Sequence, residues 1–293
     1  MFNSIQKFIL TLSVFVILFL FYCIIIFTIN YSISKEVSIA QKDVLIVGDS
    51  HLLTSLNPKQ MNSALNICQS AEPYYLTYLK LKFLLEKNIK PDTVIIGFGH
   101  QNISNFNDYK LKDEFWTDRM FNANYLLAND ILNISNLEIN YLKLFFVYTR
   151  NMCLIPKIGH YKNFIGQFEG RNNNNNKIDN HQKRIDLIFY YKDYDVSELC
   201  ISYLDSIIDI SEKNQITPIL LGTPVTDEYY QLIPEKIIER YALIKARYSK
   251  EGIRVIDLTR SKYSIDYFND SDHLNFRGAK KFTEEINILL SDI

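Results

Sequence analysis

The sequence predicts an α/β fold in which helices cover both faces of a central parallel β-sheet. Four short apolar runs indicate buried strands, because strands covered on both faces are continuously hydrophobic and rich in Val, Ile and Leu. Amphipathic helical patterns separate the runs, and such alternation requires right-handed crossovers between parallel strands. The predicted strands are Asp43–Val47, Asp92–Phe98, Ile216–Leu221 and Ile253–Leu258.

The helical patterns follow a spacing of three and four residues between apolar side chains. One segment, from about 105 to 190, breaks the alternation, because it is rich in aromatic residues and has helical patterning around Asn122–Val147. We expect this segment to be an insertion that covers the C-terminal edge of the sheet. The other predicted helices are Pro73–Lys87, Ser197–Glu212, Glu235–Ser249 and Lys280–Leu290.

An uncharged apolar run from Phe8 to Ile29 precedes the α/β region. It is long enough to cross a bilayer as a helix, whereas a cleavable signal peptide has an apolar core of only about 7–15 residues. Lys7 precedes the run, while Lys35 and Glu36 cancel each other after it, which favours a cytoplasmic N-terminus. The predicted organisation is a cytoplasmic N-terminus (1–7), a single transmembrane anchor (8–30), a tether (31–42) and an extracytoplasmic domain (43–293); a cleaved signal peptide is the alternative.

Composition excludes several classes of partner. The chain has 32 basic and 33 acidic residues, a formal net charge of −1, and no basic stripe, so we expect no nucleic-acid partner. No G-x-G-x-x-G or Walker pattern follows a predicted strand, so no nucleotide cofactor is expected. The cysteines lack C-x-x-C spacing and the histidines are scattered, so the sequence predicts neither a metal site nor any other cofactor.

Two short strings at opposite ends of the chain supply the parts of a nucleophilic site. Gly48-Asp49-Ser50-His51 follows the first predicted strand, which puts Ser50 at a C-terminal strand end, where open α/β sheets bind ligands. Asp270 and His273 lie three residues apart in the last loop before the final helix. A serine hydroxyl needs a base to accept its proton, and the base needs a partner that fixes its tautomer. The alternative is that Asp270 and Asp272 form a turn or cap the final helix.

Together these strings resemble the conserved blocks of the SGNH (GDSL-type) hydrolase family, over residues 43–293. Gly48-Asp49-Ser50 is similar to the first block, and Asp270-x-x-His273-x-Asn275-x-x-Gly278 is similar to the last. The resemblance implies a flavodoxin-like three-layer α/β/α fold. It also implies a catalytic triad with Ser50 as nucleophile, His273 as general base and Asp270 as the group that orients the imidazole.

The same resemblance implies three donors to a developing oxyanion: the backbone N–H groups of Ser50 and Ala71, and the side-chain amide of Asn102. Asn102 lies one residue later than the family's G-x-N spacing places it, which leaves Gln101 as a rival. Ala71 stands where the family has glycine. A backbone donor requires glycine only where φ is positive, so Ala71 can serve if its backbone conformation is ordinary.

The expected function is a membrane-anchored serine esterase or O-acyltransferase, with acetyl as the expected group and an acyl-Ser50 intermediate. Anchored proteins resembling this layout often modify exopolysaccharides or cell-wall polymers, sometimes beside a multi-spanning acyl-donor membrane protein. The resemblance therefore implies a carbohydrate or other ester substrate, a membrane location and such a partner. Two alternatives stay open: a non-catalytic glycan-binding or assembly module with the same fold, and a lipid esterase.

Overall fold

A computed structural model of the chain describes residues 3–35, 39, 41–135, 137–157, 166, 168–171, 180–189 and 195–291. The strands are β1 (Val44–Val47), β2 (Ala64–Asn66), β3 (Thr93–Gly97), β4 (Thr217–Gly222) and β5 (Arg254–Asp257). The helices are α1 (Ser4–Lys35), α2 (Ser50–Ser55), α3 (Tyr74–Glu86), α4 (Phe106–Tyr109), α5 (Glu114–Asn124), α6 (Ala128–Leu132), α7 (Tyr141–Thr149), α8 (His181–Phe189), α9 (Glu198–Lys213), α10 (Asp227–Leu232), α11 (Glu235–Lys250) and α12 (Phe276–Leu290).

The strands form one parallel sheet in the order β2-β1-β3-β4-β5. Neighbouring residues of β1 point to opposite faces: Leu45 and Val47 belong to one buried cluster and Ile46 to the other. Helices α3, α9 and α11 pack on the first face, and α2 and α12 on the second. The predicted fold class, a three-layer α/β/α arrangement with a parallel sheet of flavodoxin-like order, is therefore confirmed.

The four predicted strands and three of the predicted helices lie within one or two residues of their observed bounds. The edge strand β2 was not predicted, because Ala64-Leu65-Asn66 is too short and too polar to show an apolar run. The final helix begins at Phe276 rather than at Lys280. Its start is earlier because the Asn275 side chain caps it, accepting hydrogen bonds from the N–H groups of Arg277 and Gly278, both at 3.0 Å.

The apolar N-terminal run forms one continuous helix, α1, which has the length and hydrophobicity of a membrane-spanning helix. It is the only such helix among the residues that the structure describes. Most of its apolar side chains are not covered by other parts of the protein. The helix continues to Lys35, beyond the predicted end of the anchor, so the first residues of the predicted tether are helical.

The segment from about 105 to 190 contains several short helices, α4 to α8, rather than one long helical region. Phe121, Leu144 and Ile185 of this segment are buried in the same cluster as the sheet residues Val94 and Ile96. The insertion therefore shares one core with the α/β domain. Its run Asn172–Asn176 lies outside the described residues.

A buried ion pair supports the loop that follows β2. Lys80 of α3 lies 2.6 Å from a carboxylate oxygen of Glu72, and both side chains are almost completely buried. The ammonium group also donates a hydrogen bond of 2.6 Å to the carbonyl of Ile67, and Thr77 donates one of 2.8 Å to Glu72. Removing one member of such a pair leaves a buried charge without compensation, which is costly in a low-dielectric interior.

We expect Lys80→Met to lower the free energy of unfolding by roughly 3–5 kcal/mol, because Glu72 would stay buried without its cation. The matched control is Lys82→Met on the same helix, whose ammonium group is half-exposed and 3.9 Å from its partners Glu86 and Asp130. That change should cost less than about 1 kcal/mol. Urea unfolding of the two variants would measure the difference, and equal losses would contradict the assigned role of Lys80.

Candidate active site

Ser50 lies at the C-terminal end of β1, as the first residue of α2. The turn before it depends on Gly48, whose φ of +136° is strongly disfavoured for other residues. A Cβ at Gly48 would also lie 3.2 Å from the backbone nitrogen of Gly97, at the end of the neighbouring strand β3. The absence of a side chain here lets the ends of β1 and β3 approach each other at the point where the strand order reverses.

His273 accepts and donates hydrogen bonds that connect Ser50 to Asp270. Its Nε2 lies 2.8 Å from Oγ of Ser50, and its Nδ1 lies 2.8 Å from Oδ1 of Asp270. An ionised carboxylate only accepts hydrogen bonds, so Nδ1 carries the proton and Nε2 is free to accept the serine proton. The structure thus brings together the three residues predicted as nucleophile, base and orienting acid, in the geometry of a Ser-His-Asp triad.

The Asp-x-x-His spacing follows from a tight loop. The same oxygen of Asp270 accepts hydrogen bonds from the backbone N–H of His273, at 2.9 Å, and from that of Asp272, at 3.3 Å. Asn269 donates a backbone hydrogen bond to the carbonyl of His273, at 2.9 Å, which closes the loop. Asp270 and Asp272 therefore do not cap the final helix; that role belongs to Asn275.

The last motif residue, Gly278, is explained by packing. A Cβ at this position would lie 2.2 Å from the carbonyl oxygen of Tyr267. The Asn275 side chain joins the same two segments, donating to the carbonyls of Asp266 and Phe268 at 2.8 and 3.1 Å. Asn275 and Gly278 thus hold helix α12 against the loop that carries His273.

A second carboxylate, Asp272, contacts the imidazole of His273. Its Oδ1 lies 3.1 Å from Nδ1, although only Asp270 has hydrogen-bonding geometry toward that nitrogen. Arg184 of α8 binds both oxygens of Asp272, at 3.0 and 3.1 Å, and Arg171 lies 2.7 Å from Asp270. The positive charges of two arginines from the insertion therefore balance the negative charges of the two aspartates beside His273. Motif spacing gave no signal for either arginine.

The charges around His273 change the pKa of the imidazole. Burial by itself lowers the pKa of His273, but the charge of Asp272, together with the hydrogen bond to Asp270, outweighs burial and raises it above the ordinary value. For Asp272, burial raises the pKa, but the charges of His273 and Arg184 outweigh burial and hold it well below the usual range. The imidazolium that forms when Ser50 gives up its proton is thus stabilised.

His51 extends this network on the other side of Asp272. Its Nε2 lies 3.2 Å from Asp272, its Nδ1 lies 3.1 Å from Oγ1 of Thr223, and its ring centroid is 4.7 Å from that of His273. His51, Asp272 and His273 are close enough to share a metal ion. The guanidinium of Arg184 already pairs with Asp272, however, and its positive charge opposes a cation at this point.

Asn102 and its rival Gln101 both bind the carboxylate of Asp49. Their amide nitrogens lie 2.9 and 3.1 Å from the same oxygen of Asp49, beside the nucleophile. Oδ1 of Asn102 accepts a hydrogen bond from the N–H of Gly99, at 2.8 Å, which fixes the direction of the amide. The additional residue in the Gly99–Asn102 spacing is accommodated by a 3₁₀ turn over His100–Ile103.

Ala71 does not have an ordinary backbone conformation, which was the condition for alanine to serve in place of glycine. It is the third residue of a turn closed by a 3.3 Å hydrogen bond from the N–H of Glu72 to the carbonyl of Gln69. Its φ is 61°, a left-handed conformation in which Cβ is strained and glycine is favoured. The turn geometry gives a physical reason for a glycine at this place. Ala71 as an oxyanion donor stays a prediction.

No family model matches the sequence, and no curated protein does. Among solved structures, the chain is similar to a GDSL-like lipase of Bacteroides thetaiotaomicron VPI-5482, with 13% identity, coverage of 91% of this chain and 98% of the other, and a TM-score of 0.43.

Two further structures are similar at the same level. A candidate acylhydrolase of Bacteroides fragilis NCTC 9343 has 14% identity, 87% and 89% coverage and a TM-score of 0.42. A psychrotrophic esterase of a Pseudoalteromonas species has 9% identity, 85% and 97% coverage and a TM-score of 0.38. The chemistry assigned to Ser50 rests on the geometry of the site itself.

We expect the Asp270→Asn variant to keep part of the wild-type esterase activity, because a second carboxylate, Asp272, also faces His273. Losing the single aspartate of a triad lowers kcat by about 10⁴-fold; here Asp272 still faces Nδ1, so a loss of about 10–10²-fold is expected. The double variant Asp270→Asn/Asp272→Asn should show the full loss. Steady-state hydrolysis of p-nitrophenyl acetate measures both, and equal losses would show that Asp272 cannot replace Asp270.

The pH profile distinguishes positioning by Asp272 from a purely structural role. His273 must be neutral to act as a base, and its pKa is raised, so activity should fall as the pH decreases through a value above about 6.5. Asp272→Asn removes the charge that raises this pKa most, so the acid limb of kcat/KM should move to lower pH. An unmoved limb in a variant that still unfolds cooperatively would contradict this role.

We expect Ala71→Gly to raise the free energy of unfolding by roughly 0.5–1 kcal/mol, because relief of the left-handed strain exceeds the additional entropy of glycine in the unfolded chain. The same replacement at the helical position Ala242 is the control and should lower stability by about 1 kcal/mol. Urea unfolding checks both signs. A loss of stability at position 71 would mean that its backbone is not left-handed.

Proposed function

We propose that this chain is a membrane-anchored serine esterase or O-acyltransferase that works through an acyl-Ser50 intermediate. The observation that carries the proposal is the pair of 2.8 Å contacts that His273 makes with Ser50 and Asp270. The geometry meets the requirement that nucleophile, base and orienting group lie within hydrogen-bond reach of one another. Ser50 and His273 are buried, which reduces competition from bulk water.

The reaction has two proton-balanced steps. In the first, Oγ of Ser50 attacks the ester carbonyl while Nε2 of His273 accepts the serine proton and passes it to the departing alcohol. In the second, the same nitrogen takes a proton from the acceptor, which attacks the acyl-serine, and returns it to Oγ of Ser50. Water as the acceptor makes the enzyme an esterase; a sugar hydroxyl makes it an O-acyltransferase.

Oxyanion stabilisation falls to groups beside Ser50. Its own N–H opens helix α2 and belongs to the first turn, whose N–H groups have no carbonyl partner within the helix. Asp49 accepts one hydrogen of the Asn102 amide, which fixes this amide next to the nucleophile, and the proposal assigns its second hydrogen to the oxyanion. Removal of one such donor typically lowers kcat by about 10²–10³-fold.

We infer that α1 anchors the protein in a membrane with its N-terminus in the cytoplasm. The length and apolar character of α1 support the anchor, and the position of Lys7 supports this orientation. The catalytic domain then lies on the extracytoplasmic side, where its substrate would be an acylated glycan or cell-surface polymer, with acetyl as the expected group. A multi-spanning membrane protein could supply the acyl donor.

A fluorophosphonate probe tests the nucleophile directly in the full-length protein in detergent. We expect covalent labelling of the wild type and none of Ser50→Ala, with turnover of p-nitrophenyl acetate reduced at least about 10³-fold. The matched control is Ser55→Ala, another buried serine on the same helix, which should keep both labelling and turnover. Labelling that persists in Ser50→Ala would exclude Ser50 as the nucleophile.

If the wild-type protein binds glycan but is not labelled by the probe, the result would instead support a non-catalytic module. A lipid esterase is the second catalytic candidate, favoured by the large apolar side chains exposed on the insertion. A panel of p-nitrophenyl esters of increasing chain length separates the two enzymes: an acetyl-specific site loses activity as the chain lengthens, whereas a lipid esterase gains it.

A further inference from the structure

Helix α7 of the insertion is apolar on two opposite faces. Leu144 and Val147 are buried in the main core. On the other side of the helix, four large apolar side chains are 59–68% exposed: Tyr141, Leu142, Phe145 and Phe146. At about 100° per residue, these four side chains occupy one arc of roughly 140°. We call this arc the α7 face. A helix that faces water carries polar residues there, so the α7 face needs an occupant.

The end of α7 is attached to the N-terminal helix α1. The chain continues from α7 into a π-helical turn, Arg150–Leu154, that packs along α1. Asn30 of α1, which is buried, donates hydrogen bonds to the carbonyls of Asn151, Met152 and Ile155, at 3.0, 3.0 and 2.8 Å. The side-chain oxygen of Asn30, Oδ1, accepts a 2.8 Å hydrogen bond from the backbone N–H of Lys157. One amide side chain thus satisfies four backbone groups and fixes this turn against α1.

A further contact sets the depth of the turn along α1. The hydroxyl of Tyr22 donates a 2.9 Å hydrogen bond to the carbonyl of Leu154. Tyr22 lies seven residues before the end of the apolar run at Ile29, which is about 10 Å along a helix axis. The hydrocarbon layer of a bilayer is about 30 Å thick, so this depth lies within the acyl chains of the leaflet from which α1 emerges.

We propose that the α7 face enters the acyl chains of that leaflet, so that the catalytic domain contacts the bilayer at a second place beside α1. The occupant is lipid because α1, the helix against which the end of α7 is fixed, is itself surrounded by lipid. The inference rests on the proposed anchor. It also fixes the height of the site, because Leu144 and Val147 of α7 are buried in the same core as Val47, the last residue of the strand that leads to Ser50.

As a consequence, the acyl-Ser50 site stays close to the membrane surface instead of moving freely on a flexible tether. Substrates are then restricted to groups presented near the bilayer, such as a lipid-linked saccharide or the membrane-proximal part of a polymer.

Site-directed spin labelling of the full chain in vesicles of phosphatidylethanolamine and phosphatidylglycerol tests this placement. The partly exposed Cys23 and Cys153 are first replaced by alanine, while the buried Cys68 and Cys200 remain. One label is then introduced by Phe145→Cys on the α7 face. Two matched controls are Phe15→Cys on α1 and Leu243→Cys on α11, both exposed by about the same fraction as Phe145.

Collisions with oxygen, which concentrates in lipid, are compared with collisions with a water-soluble nickel chelate. We expect the label at position 145 to collide more with oxygen than with nickel, as at position 15, and the label at position 243 to collide more with nickel.

If the label at position 145 behaves like the label at 243 while the label at 15 remains in lipid, this inference is overturned and the anchor is left intact. Nickel access at both 15 and 145 means that the proposed anchor itself fails. Protection at 145 from both reagents assigns the α7 face to a protein partner or a second copy, and also overturns the inference.

Discussion

The imidazole of His273 is the point at which the separate parts of this molecule meet. Its Nε2 contacts the serine at the end of β1, and its Nδ1 contacts two aspartates of the last loop. The turn at Gly48 places the serine, while the cap at Asn275 and the close packing at Gly278 hold the loop that carries the ring. A displacement of the ring by about 1 Å would break the contact on which activation of Ser50 depends.

Charge balance explains why two carboxylates can lie beside one histidine. Buried aspartates repel each other, and without compensation one of them would take up a proton. Here Arg171 pairs with Asp270 and Arg184 pairs with Asp272, so each negative charge has its own positive partner. Both arginines come from the insertion. The insertion is thus part of the electrostatics of the site, and its proposed contact with lipid links the membrane to the same residues.

The four main strands were predictable from short-range signals, and the residues of the triad were predictable because two short motifs resemble those of a known family. Buried parallel strands are apolar runs, and Asp270 reaches His273 through a loop of three residues. The short strand β2 and the start of α12 were not predictable, because pairing at a sheet edge and capping by Asn275 leave little trace in local hydrophobicity. The left-handed conformation of Ala71 was not predictable for a related reason: it belongs to a turn closed by Glu72 and Gln69, and alanine itself gives no sign of it.

The amino-acid sequence alone determined the layered α/β class, the apolar N-terminal helix and the two motifs Gly48-Asp49-Ser50 and Asp270-x-x-His273, because each of these signals lies in short stretches of consecutive residues. That the two motifs form one site was implied by the family resemblance. Only the tertiary structure decided which carboxylates and cations surround the imidazole. Arg171, Arg184 and Thr223 lie far from both motifs along the chain, and long-range contacts of this kind have no periodicity or spacing that a sequence can display. The position of the turn that follows α7 against α1 was decided in the same way, through hydrogen bonds that join residues more than a hundred positions apart.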